Sequence, residues 1–439
     1  MTDQIGHSRR KFLRNSALAL GAFAGGGLLD PMQASHLLET SMPVGNRSLE
    51  AWSSDEDFWH QVRLAYTVSP SLINLNNGGV SPSPEVVQDA VERYMQLSNE
   101  TPSYYMWRIL DQGREPLRER LAAVAGVSPE EIAINRNASE ALETAIFGLR
   151  LEKGDEVVLS KQDYPNMINA WKQREKRDGI VLKWVDHQLP GEDDAAMAQR
   201  YFDLFTDKTK VVHITHVINW TGQVLPSKMI ADKAHDQGIE VVVDAAHSFA
   251  HLVYKIPDTG ADYFGTSLHK WLCAPIGTGL LYVKKEKIGK LFPLFGAPDP
   301  ESEDIRKFEA LGTRSFPLEQ GIGQALDFHE WLDAERKFAR LHHLKTYWLE
   351  QALDLGYHSY TSLDPQYSGA IANIGWKDVP PQDIANYLFR EYKIHAVAIN
   401  WEDIHGVRIT PHVYTNKKEL DKLVSGLHAF AREHLAKKQ

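Results

Sequence analysis

Apolar positions between about residue 88 and residue 283 follow two alternating periodicities. Short, almost continuous apolar runs, typical of strands buried on both faces, alternate with stretches in which apolar residues recur at helical spacing. This alternation predicts an α/β architecture with a mainly parallel sheet between helices, and ligands at the carboxyl ends of the strands. The strand-like runs are EIAINRN (131–137), EVVLS (156–160), IVLKWV (180–185), KVVHITHV (210–217), EVVVDAAH (240–247) and GLLYV (279–283).

The pattern changes after about Gly321. A long stretch with helical spacing extends over 326–353, and the last helical pattern, at 418–435, places apolar residues on one face. Asn416 and Glu419 predict a capping pair at the start of that last helix. We therefore expect a smaller α+β domain at the C-terminal end. The residues of the apolar face are Leu420, Leu423, Leu427 and Phe430.

The first residues resemble an export signal. Arg9 and Arg10, followed by Phe12 and Leu13, precede a short, weakly apolar, glycine-rich run, which is typical of a twin-arginine signal, although a basic tail could also carry two arginines. The run is too short for a confident membrane-spanning helix, so we expect a periplasmic protein without a stable membrane span after signal removal. The expected organisation is a signal peptide recognised by the twin-arginine machinery at 1–34, a segment at 35–70 that packs on the small domain, a large domain at 71–320 and the small domain at 321–439.

Composition and charge narrow the class of protein. The chain has 439 residues, enough for two domains with cores of their own. Its 58 acidic and 48 basic side chains give a net charge of −10, which argues against a nucleic-acid partner. Cys273 is the single cysteine, so neither an intramolecular disulfide nor a multi-cysteine metal site can form. We predict no metal site.

Lys270 is unusual because it lies directly behind a histidine in a segment, TSLHKWLCAPIGTGLLYV (266–283), that is otherwise suited to burial. A buried ammonium is costly unless it is paired or chemically used, whereas an exposed loop lysine would need no explanation. Asp244 closes a strongly apolar strand, where it either pairs with a cation or caps the next turn. His247 follows in the same turn and could equally be a core histidine.

A second candidate feature lies where a strand turns into a helix, at Asn137, Ala138 and Ser139. Free backbone N–H groups and the positive end of the helix dipole make such a turn receptive to phosphate. Asn137 with Glu140 also fits a helix-capping pair, and the two roles are compatible.

Together, these features resemble a site for pyridoxal 5′-phosphate (PLP), and the chain resembles class V aminotransferase-like enzymes of fold type I, with the isopenicillin N epimerase-like proteins as the nearest subgroup. The resemblance extends from about Leu72 to the C-terminus. Its motifs are RNASEA (136–141), DYPN (163–166), THVINWTG (215–222), DAAHS (244–248), SLHK (267–270), GTR (312–314) and VRITPHVYTN (407–416).

The resemblance implies a seven-stranded, mainly parallel sheet, PLP as cofactor, and a role for each motif. Lys270 would form the Schiff base, Asp244 would pair with the pyridinium nitrogen, and His247 would lie near the phenolic oxygen. Thr313 would reach the phosphate of a neighbouring subunit, which implies a homodimer with shared active sites. The remaining expected contacts are Ala138, Ser139, Tyr164, Asn219, Ser267 and His269 with the cofactor, and Arg408 and Asn77 with an amino-acid or peptide substrate.

The cofactor alone does not fix the reaction, because the same carbanion can undergo transamination, epimerisation or β-elimination. We expect an aminotransferase- or epimerase-like reaction at the α-amino or α-carbon position of an amino acid or modified peptide. The alternative is a β-eliminating C–S lyase. A desulfurase would need a nucleophilic cysteine on a mobile loop, which Cys273 does not provide. A non-catalytic exported binding protein would leave Lys270 and Asp244 without a role.

Overall fold

The computed structural model describes residues 47–376 and 379–436. The expected signal peptide (1–34) and residues 35–46 of the expected N-terminal segment lie outside these ranges. The described residues form one compact unit.

Strands and helices alternate along most of the described chain. The strands are β1 (Ile73–Asn74), β2 (Ile132–Asn135), β3 (Glu156–Ser160), β4 (Val181–Val185), β5 (Thr209–Thr215), β6 (Glu240–Asp244), β7 (Tyr263–Ser267), β8 (Gly279–Val283), β9 (His358–Ser359), β10 (Ala372–Gly375), β11 (Ile394–His395), β12 (Val397–Trp401) and β13 (Ile404–Ile409). The α-helices are α1 (Leu49–Ser53), α2 (Glu56–Leu64), α3 (Glu85–Glu100), α4 (Pro102–Tyr104), α5 (Arg114–Ala125), α6 (Ala138–Gly148), α7 (Pro165–Asp178), α8 (Asp194–Phe202), α9 (Ser227–Asp236), α10 (Phe316–Gln320), α11 (Ile322–Leu332), α12 (Ala334–Asp354), α13 (Pro381–Tyr392) and α14 (Lys417–Ala436).

A seven-stranded sheet forms the centre of the unit, in the order β2-β8-β7-β6-β5-β3-β4. Neighbouring strands from β7 to β4 are parallel, and β8 runs antiparallel to both β2 and β7. The mainly parallel seven-stranded sheet is therefore confirmed. One of its central strands, β7, has no counterpart among the apolar runs of the sequence.

Both faces of this sheet are buried, because alternate residues of each strand enter different hydrophobic clusters. Val241 and Val243 of β6 pack in the cluster that contains α5, α8, α9 and α11, whereas Val242 packs in the cluster that contains α6 and α7. Burying one such side chain stabilises the fold by about 1.5–3 kcal/mol. This two-sided burial explains why the strands appear in the sequence as near-continuous apolar runs. The expected α/β arrangement is confirmed.

The carboxyl ends of the parallel strands bring several polar residues to one edge of the sheet. Ser160, Thr215, Asp244 and Ser267 are the last residues of β3, β5, β6 and β7. Parallel strands end at the same edge, which is where open α/β sheets bind ligands. The fold therefore places Asp244 and Ser267, two of the candidate residues, at the same edge.

The C-terminal part contains an antiparallel sheet in the order β12-β13-β10-β9, with α12, α13 and α14 packed against its apolar residues. The apolar face expected on α14 is buried in this cluster. The predicted cap also forms, because the Glu419 N–H donates to Asn416 Oδ1 at 2.9 Å and the Asn416 N–H donates to Glu419 Oε2 at 3.1 Å. The domain boundaries near residues 70 and 320 stay a prediction.

The long helical stretch expected at 326–353 is two helices in the structure. The break is at Asp333, whose φ of 66° lies in the left-handed region and cannot continue an α-helix. The Asp333 carboxylate instead accepts hydrogen bonds from the Glu335 and Arg336 N–H groups and caps α12.

The first described helices contact the C-terminal part of the chain through two buried or half-buried arginines. Arg340 of α12 donates to the Ser53 carbonyl at 2.9 Å and to Glu56 at 2.5 Å. Arg63 of α2 forms a bidentate pair with Glu419 at 2.8 and 2.9 Å. Across 47–376 and 379–436, no helix has both the length and the apolarity required to cross a bilayer.

Candidate active site

Lys270 lies in the turn that follows β7 and is half-buried. Its Nζ atom is 3.0 Å from Nε2 of His247. Removal from water lowers the pKa of Lys270 to about 8, opposed by attraction to Asp244 and aided by repulsion from Arg408. About one-tenth of the amine is therefore neutral at pH 7 and half at pH 8, and the neutral form is the one that attacks a carbonyl.

Asp244 and His247 lie in the turn at the end of β6, and both are buried. Asp244 Oδ1 accepts a hydrogen bond from the Ala246 N–H at 2.9 Å. Burial raises the pKa of the Asp244 carboxyl, while the Ala246 N–H and Lys270 oppose that shift. Burial, with the charges of Lys270 and Arg408, holds the pKa of His247 well below its usual value. The carboxylate therefore caps its own turn, one of the two roles considered for Asp244, and it also attracts Lys270 electrostatically.

The expected phosphate turn is the start of α6. Asn137 caps the helix by accepting a hydrogen bond from the Glu140 N–H at 2.9 Å, as the sequence predicts. The Ala138 N–H donates to Ser267 Oγ at 2.9 Å, which joins this turn to the end of β7. Ser139 is half-buried in the same turn. Backbone donors, two hydroxyls and a helix N-terminus therefore lie together.

Gly279, the first residue of β8, lets the phosphate turn approach closely. A Cβ added there would lie 2.6 Å from the backbone N and Cα of Asn137.

His269, next to Lys270, is buried, and its Nδ1 has no partner among the residues that the structure describes. Burial lowers the pKa of His269, so its imidazole is neutral near pH 7.

Tyr164 and Asn219 follow strands β3 and β5. Tyr164 occupies the position before α7 without a side-chain capping hydrogen bond, and 40% of its surface is exposed, which leaves its ring available to a ligand. Asn219 is buried, and its Oδ1 lacks a partner within the described ranges.

Arg408, on β13, is buried and held by both of its terminal nitrogens. Nη1 donates to the Asn219 carbonyl and Nη2 donates to Asn76 Oδ1, each at 2.9 Å. Burial lowers the pKa of Arg408 to about 10, and Tyr164 opposes that shift. Arg408 therefore remains charged at neutral pH and lies within the electrostatic influence of Lys270 and Tyr164.

No hydrogen bond of the described chain brings Asn77 or Thr313 into this group. The amide of Asn77 is buried, donates to the carbonyls of Asn74 and Thr410, and accepts from the Tyr414 hydroxyl at 2.6 Å. Thr313 is exposed on the segment before α10. Their roles toward substrate and a second subunit stay predictions.

The structure also adds residues that the sequence reasoning did not single out. Asn76, rather than Asn77, contacts Arg408. Trp271 donates from Nε1 to Nδ1 of His247 at 3.4 Å, and its indole stacks on His251. Asp163 is buried beside Asp244, and burial raises its pKa to about 7. The sequence signal for Trp271 was its position directly after Lys270, and the other contacts join distant parts of the chain.

The residues present fit PLP on the evidence of their unpartnered groups. His269 Nδ1, Asn219 Oδ1 and Arg408 Nε are buried polar atoms without a hydrogen-bond partner in the described residues, which is costly unless a ligand or water satisfies them. The Ala138 and Ser267 turn would hold the phosphate, Asp244 would hold the ring nitrogen, and Lys270 would bind the aldehyde carbon. Within the described ranges, no cluster of three or more His, Cys, Asp or Glu side chains is arranged to bind a metal ion.

Known proteins are similar in sequence to this chain over most of its length. The chain is 26% identical over 395 residues to isopenicillin N epimerase from Streptomyces clavuligerus, covering 85% of this chain and 99% of the relative. It is 28% identical over 399 residues to a probable cysteine desulfurase from Halalkalibacterium halodurans, covering 84% of this chain and 97% of the relative. The apo structure of cysteine desulfurase from Thermococcus onnurineus NA1 has the same fold, with a TM-score of 0.76, 22% identity, and coverage of 85% of this chain and 98% of that one.

A sequence model of one family, described as aminotransferase class-V, matches residues 73–423, which is most of the chain. Members of this family use PLP, so the cofactor expected from the sequence is confirmed. The chain therefore belongs to the class V aminotransferase family of PLP-dependent enzymes.

Proposed function

We propose that the protein is a PLP-dependent enzyme that acts at the α-amino or α-carbon position of an amino acid or modified peptide, in an aminotransferase- or epimerase-like reaction. The observation that supports this most directly is that Asp244 and Arg408 both act electrostatically on the half-buried Lys270, whose amine lies 3.0 Å from His247 Nε2. When bound, PLP supplies an electron sink for a carbanion at the substrate α-carbon.

The residues of the chain would bind and orient the substrate and move one proton. Arg408 binds the α-carboxylate, and its plane is already fixed by Asn219 and Asn76. Lys270 takes the proton from the α-carbon and returns it, because its pKa of about 8 makes the amine an effective base near neutral pH. Asp244 holds the proton on the ring nitrogen.

The single cysteine argues against a persulfide-forming desulfurase. Cys273 is buried, and its Sγ lies 3.5 Å from Nε2 of His412 and 3.8 Å from the Tyr66 hydroxyl. Burial raises the pKa of the thiol, so it is neutral at pH 7 and a weak nucleophile. A β-eliminating C–S lyase needs no such thiol and is the competing function, supported by the similarity to a probable cysteine desulfurase.

The deciding experiment incubates purified protein with a panel of α-amino peptides and of L- and D-amino acids, including cysteine and cystine, with and without 2-oxo acids. Conversion of the cofactor to its amine form with a new 2-oxo acid supports transamination, and loss of optical activity without conversion supports epimerisation. Release of pyruvate and ammonia supports the lyase instead. Lys270→Ala is the control and should abolish every activity. Wild-type protein that is loaded with PLP but inactive on the whole panel, α-amino peptides included, would contradict the proposal.

We further propose a homodimer in which Thr313 completes the site of the neighbouring subunit. Exposure of Thr313 on the segment before α10 supports this, since an exposed hydroxyl can reach a second copy. Lys270→Ala and Thr313→Val can be tested for complementation. A mixed dimer would contain one site with both residues intact, so activity should return on mixing after unfolding and refolding. Activity that stays at the sum of the two variants would contradict the shared site.

We also propose export to the periplasm by the twin-arginine route, supported by Arg9, Arg10 and the short apolar run behind them. Replacing both arginines with lysine should retain the protein in the cytoplasm of a Gram-negative host. Immunoblots of periplasmic and cytoplasmic fractions measure this, and unchanged export of the double variant would contradict the route.

A further inference from the structure

The indole of Trp271, the residue after Lys270, is held by stacking against two imidazole rings. Its ring centroid lies 3.8 Å from that of His251, with 13° between the planes, and 5.7 Å from that of His412, with 16° between the planes. The indole is completely buried. Packing therefore fixes the direction in which its Nε1–H points.

That N–H determines which nitrogen of His247 carries the proton. Trp271 Nε1–H donates to Nδ1 of His247 at 3.4 Å, and an indole nitrogen can only donate. His247 is neutral, because burial and the charges of Lys270 and Arg408 depress its pKa. A neutral imidazole whose Nδ1 accepts a hydrogen bond carries its proton on Nε2. Nε2 is the nitrogen that lies 3.0 Å from Lys270 Nζ.

The same aromatic group also holds the backbone of His247. The Ala370 N–H donates to Nε2 of His251 at 2.8 Å, so the proton of His251 lies on Nδ1. His251 Nδ1 then donates to the His247 carbonyl at 2.7 Å. Both the ring and the backbone of His247 are thus oriented from the side of Trp271 and His251.

We propose that Trp271 is a positioning residue that fixes His247 as a hydrogen-bond donor toward the amine of Lys270. An imidazole N–H can donate to a neutral amine, which has a lone pair, but not to an ammonium, which has none. His247 therefore favours the neutral amine, the form that attacks a carbonyl or accepts a proton. The inference rests on the proposed function of Lys270, although the tautomer of His247 does not depend on a bound cofactor.

Removing only the indole N–H leaves in place the other charged or titratable groups that act on Lys270 and His247. Asp244 and Arg408 act on Lys270, and Arg408 and His251 act on His247. Trp271→Phe keeps an aromatic ring for His251 and His412 to stack on and removes the donor. Trp348→Phe is the matched control, because Trp348 is also completely buried and its Nε1 has no partner among the described residues.

The first measurement determines which ring nitrogen of His247 is protonated, in cofactor-free protein labelled with ¹⁵N-histidine. Multiple-bond ¹H–¹⁵N spectra, with His247→Gln to assign the signal, should show wild-type His247 protonated on Nε2 alone. Trp271→Phe should show a mixture of tautomers or Nδ1 protonation, and Trp348→Phe should match wild type. A wild-type His247 protonated on Nδ1, or an unchanged tautomer in Trp271→Phe, would overturn the proposal.

The second measurement is the pH dependence of PLP capture by the cofactor-free protein, followed by its Schiff-base absorbance. Freed from Trp271, His247 can accept a hydrogen bond from the ammonium, so the midpoint should rise. A rise of about one pH unit corresponds to roughly tenfold slower capture below the midpoint. An unchanged midpoint in Trp271→Phe contradicts the inference. If wild-type protein captured no PLP, the proposed function would fail, and the spectra would still decide the tautomer.

Should Trp271→Phe not fold, β-(3-benzothienyl)alanine at position 271 keeps the indole shape and replaces N–H with sulfur. It should give the same tautomer change and the same upward shift of the midpoint. Wild-type values for both measurements in this variant would refute the role of the N–H.

Discussion

Arg408 donates from Nη1 to the backbone carbonyl of Asn219 at 2.9 Å, so the proposed substrate arginine on β13 is tied to the end of β5. Nη2 is held by Asn76 at the same distance, and Nε has no partner in the described chain. The guanidinium is therefore oriented before a substrate binds. Because these bonds join β13 to the loop after β5 and to the segment after β1, the plane of the guanidinium also depends on how those segments pack.

Replacing Arg408 with lysine should weaken substrate binding and leave the cofactor in place. A lysine carries the charge but cannot form two parallel hydrogen bonds with a carboxylate. Loss of roughly 3 kcal/mol, within the range for a buried charge pair, predicts a KM about 100-fold higher, with an unchanged Schiff-base spectrum. Steady-state kinetics measure this. Arg390→Lys, at an exposed ion pair, is the control. An unchanged KM in Arg408→Lys would show that the carboxylate binds elsewhere.

Asp244→Asn should keep the cofactor bound but slow turnover by about 100-fold or more. A carboxylate about 4 Å from the ring nitrogen would stabilise its proton by about 4 kcal/mol at an effective dielectric near 20, which is about three pKa units. Asp163→Asn is the matched control, since Asp163 is also buried and accepts from Thr215 Oγ1 at 2.7 Å and the Ser160 N–H at 2.8 Å. We expect less than a tenfold loss there. Equal losses at both positions would refute the assignment of the carboxylate.

Schiff-base formation should follow the titration of Lys270. Its pKa is lowered to about 8, so the neutral fraction of the amine rises with pH and is half its maximum near pH 8, rather than near 10 as for an exposed lysine. Stopped-flow absorbance of cofactor-free protein mixed with PLP measures the rate. After borohydride reduction, peptide mapping should place the cofactor mass at position 270. Lys337, a second buried lysine with a pKa of about 8, is the internal comparison. Labelling of Lys337, or a midpoint near pH 10, would contradict the assignment.

Buried neutral histidines should make the free energy of unfolding fall in acid. His213 is completely buried on β5, and burial lowers its pKa to about 3. Unfolded histidine titrates near 6.5, so stability that is fully present above that pH is lost as pH falls toward 3. At pH 5 the loss from this residue is about 2 kcal/mol. The free energy of unfolding, measured in urea at pH 7 and at pH 5, should therefore differ less between the two pH values in His213→Leu than in wild type, by that amount. The exposed His60→Gln should behave as wild type, and an unchanged difference in His213→Leu would contradict the prediction.

The strands that the sequence predicts are those whose residues are apolar on both faces. The run at 240–247 illustrates this, because Val241, Val242 and Val243 are buried in two clusters. β7 was missed because its sequence, YFGTS, carries glycine and hydroxyl residues for which burial gives no apolar signal. Gly265 packs against Leu142 and Ala141, and Ser267 contacts the phosphate turn. The break at Asp333 was missed because the positive φ of a non-glycine residue does not change the apolar pattern of the sequence, from which the helix was predicted.

The residues of the site that the sequence identified lie at strand ends or in short motifs. The residues that it missed act through contacts between distant segments. Asn76 meets Arg408, which lies 332 positions further along the chain, and the neighbouring Asn77 uses its amide to hold Thr410 and Tyr414. His251 and Trp271 act through a ring stack that only the folded chain forms. Spacing along the sequence cannot report such contacts.

The close approach of Gly279 to Asn137 has a consequence for how this protein could evolve. Any larger residue at the first position of β8 would push the start of α6 outward. The proposed phosphate turn would then be separated from the end of β7, although none of the residues proposed to bind the phosphate had changed. The proposed site for the coenzyme phosphate thus depends on a residue that need never touch the coenzyme. Homologous chains that lack a glycine here should have a displaced helix or should have abandoned the coenzyme.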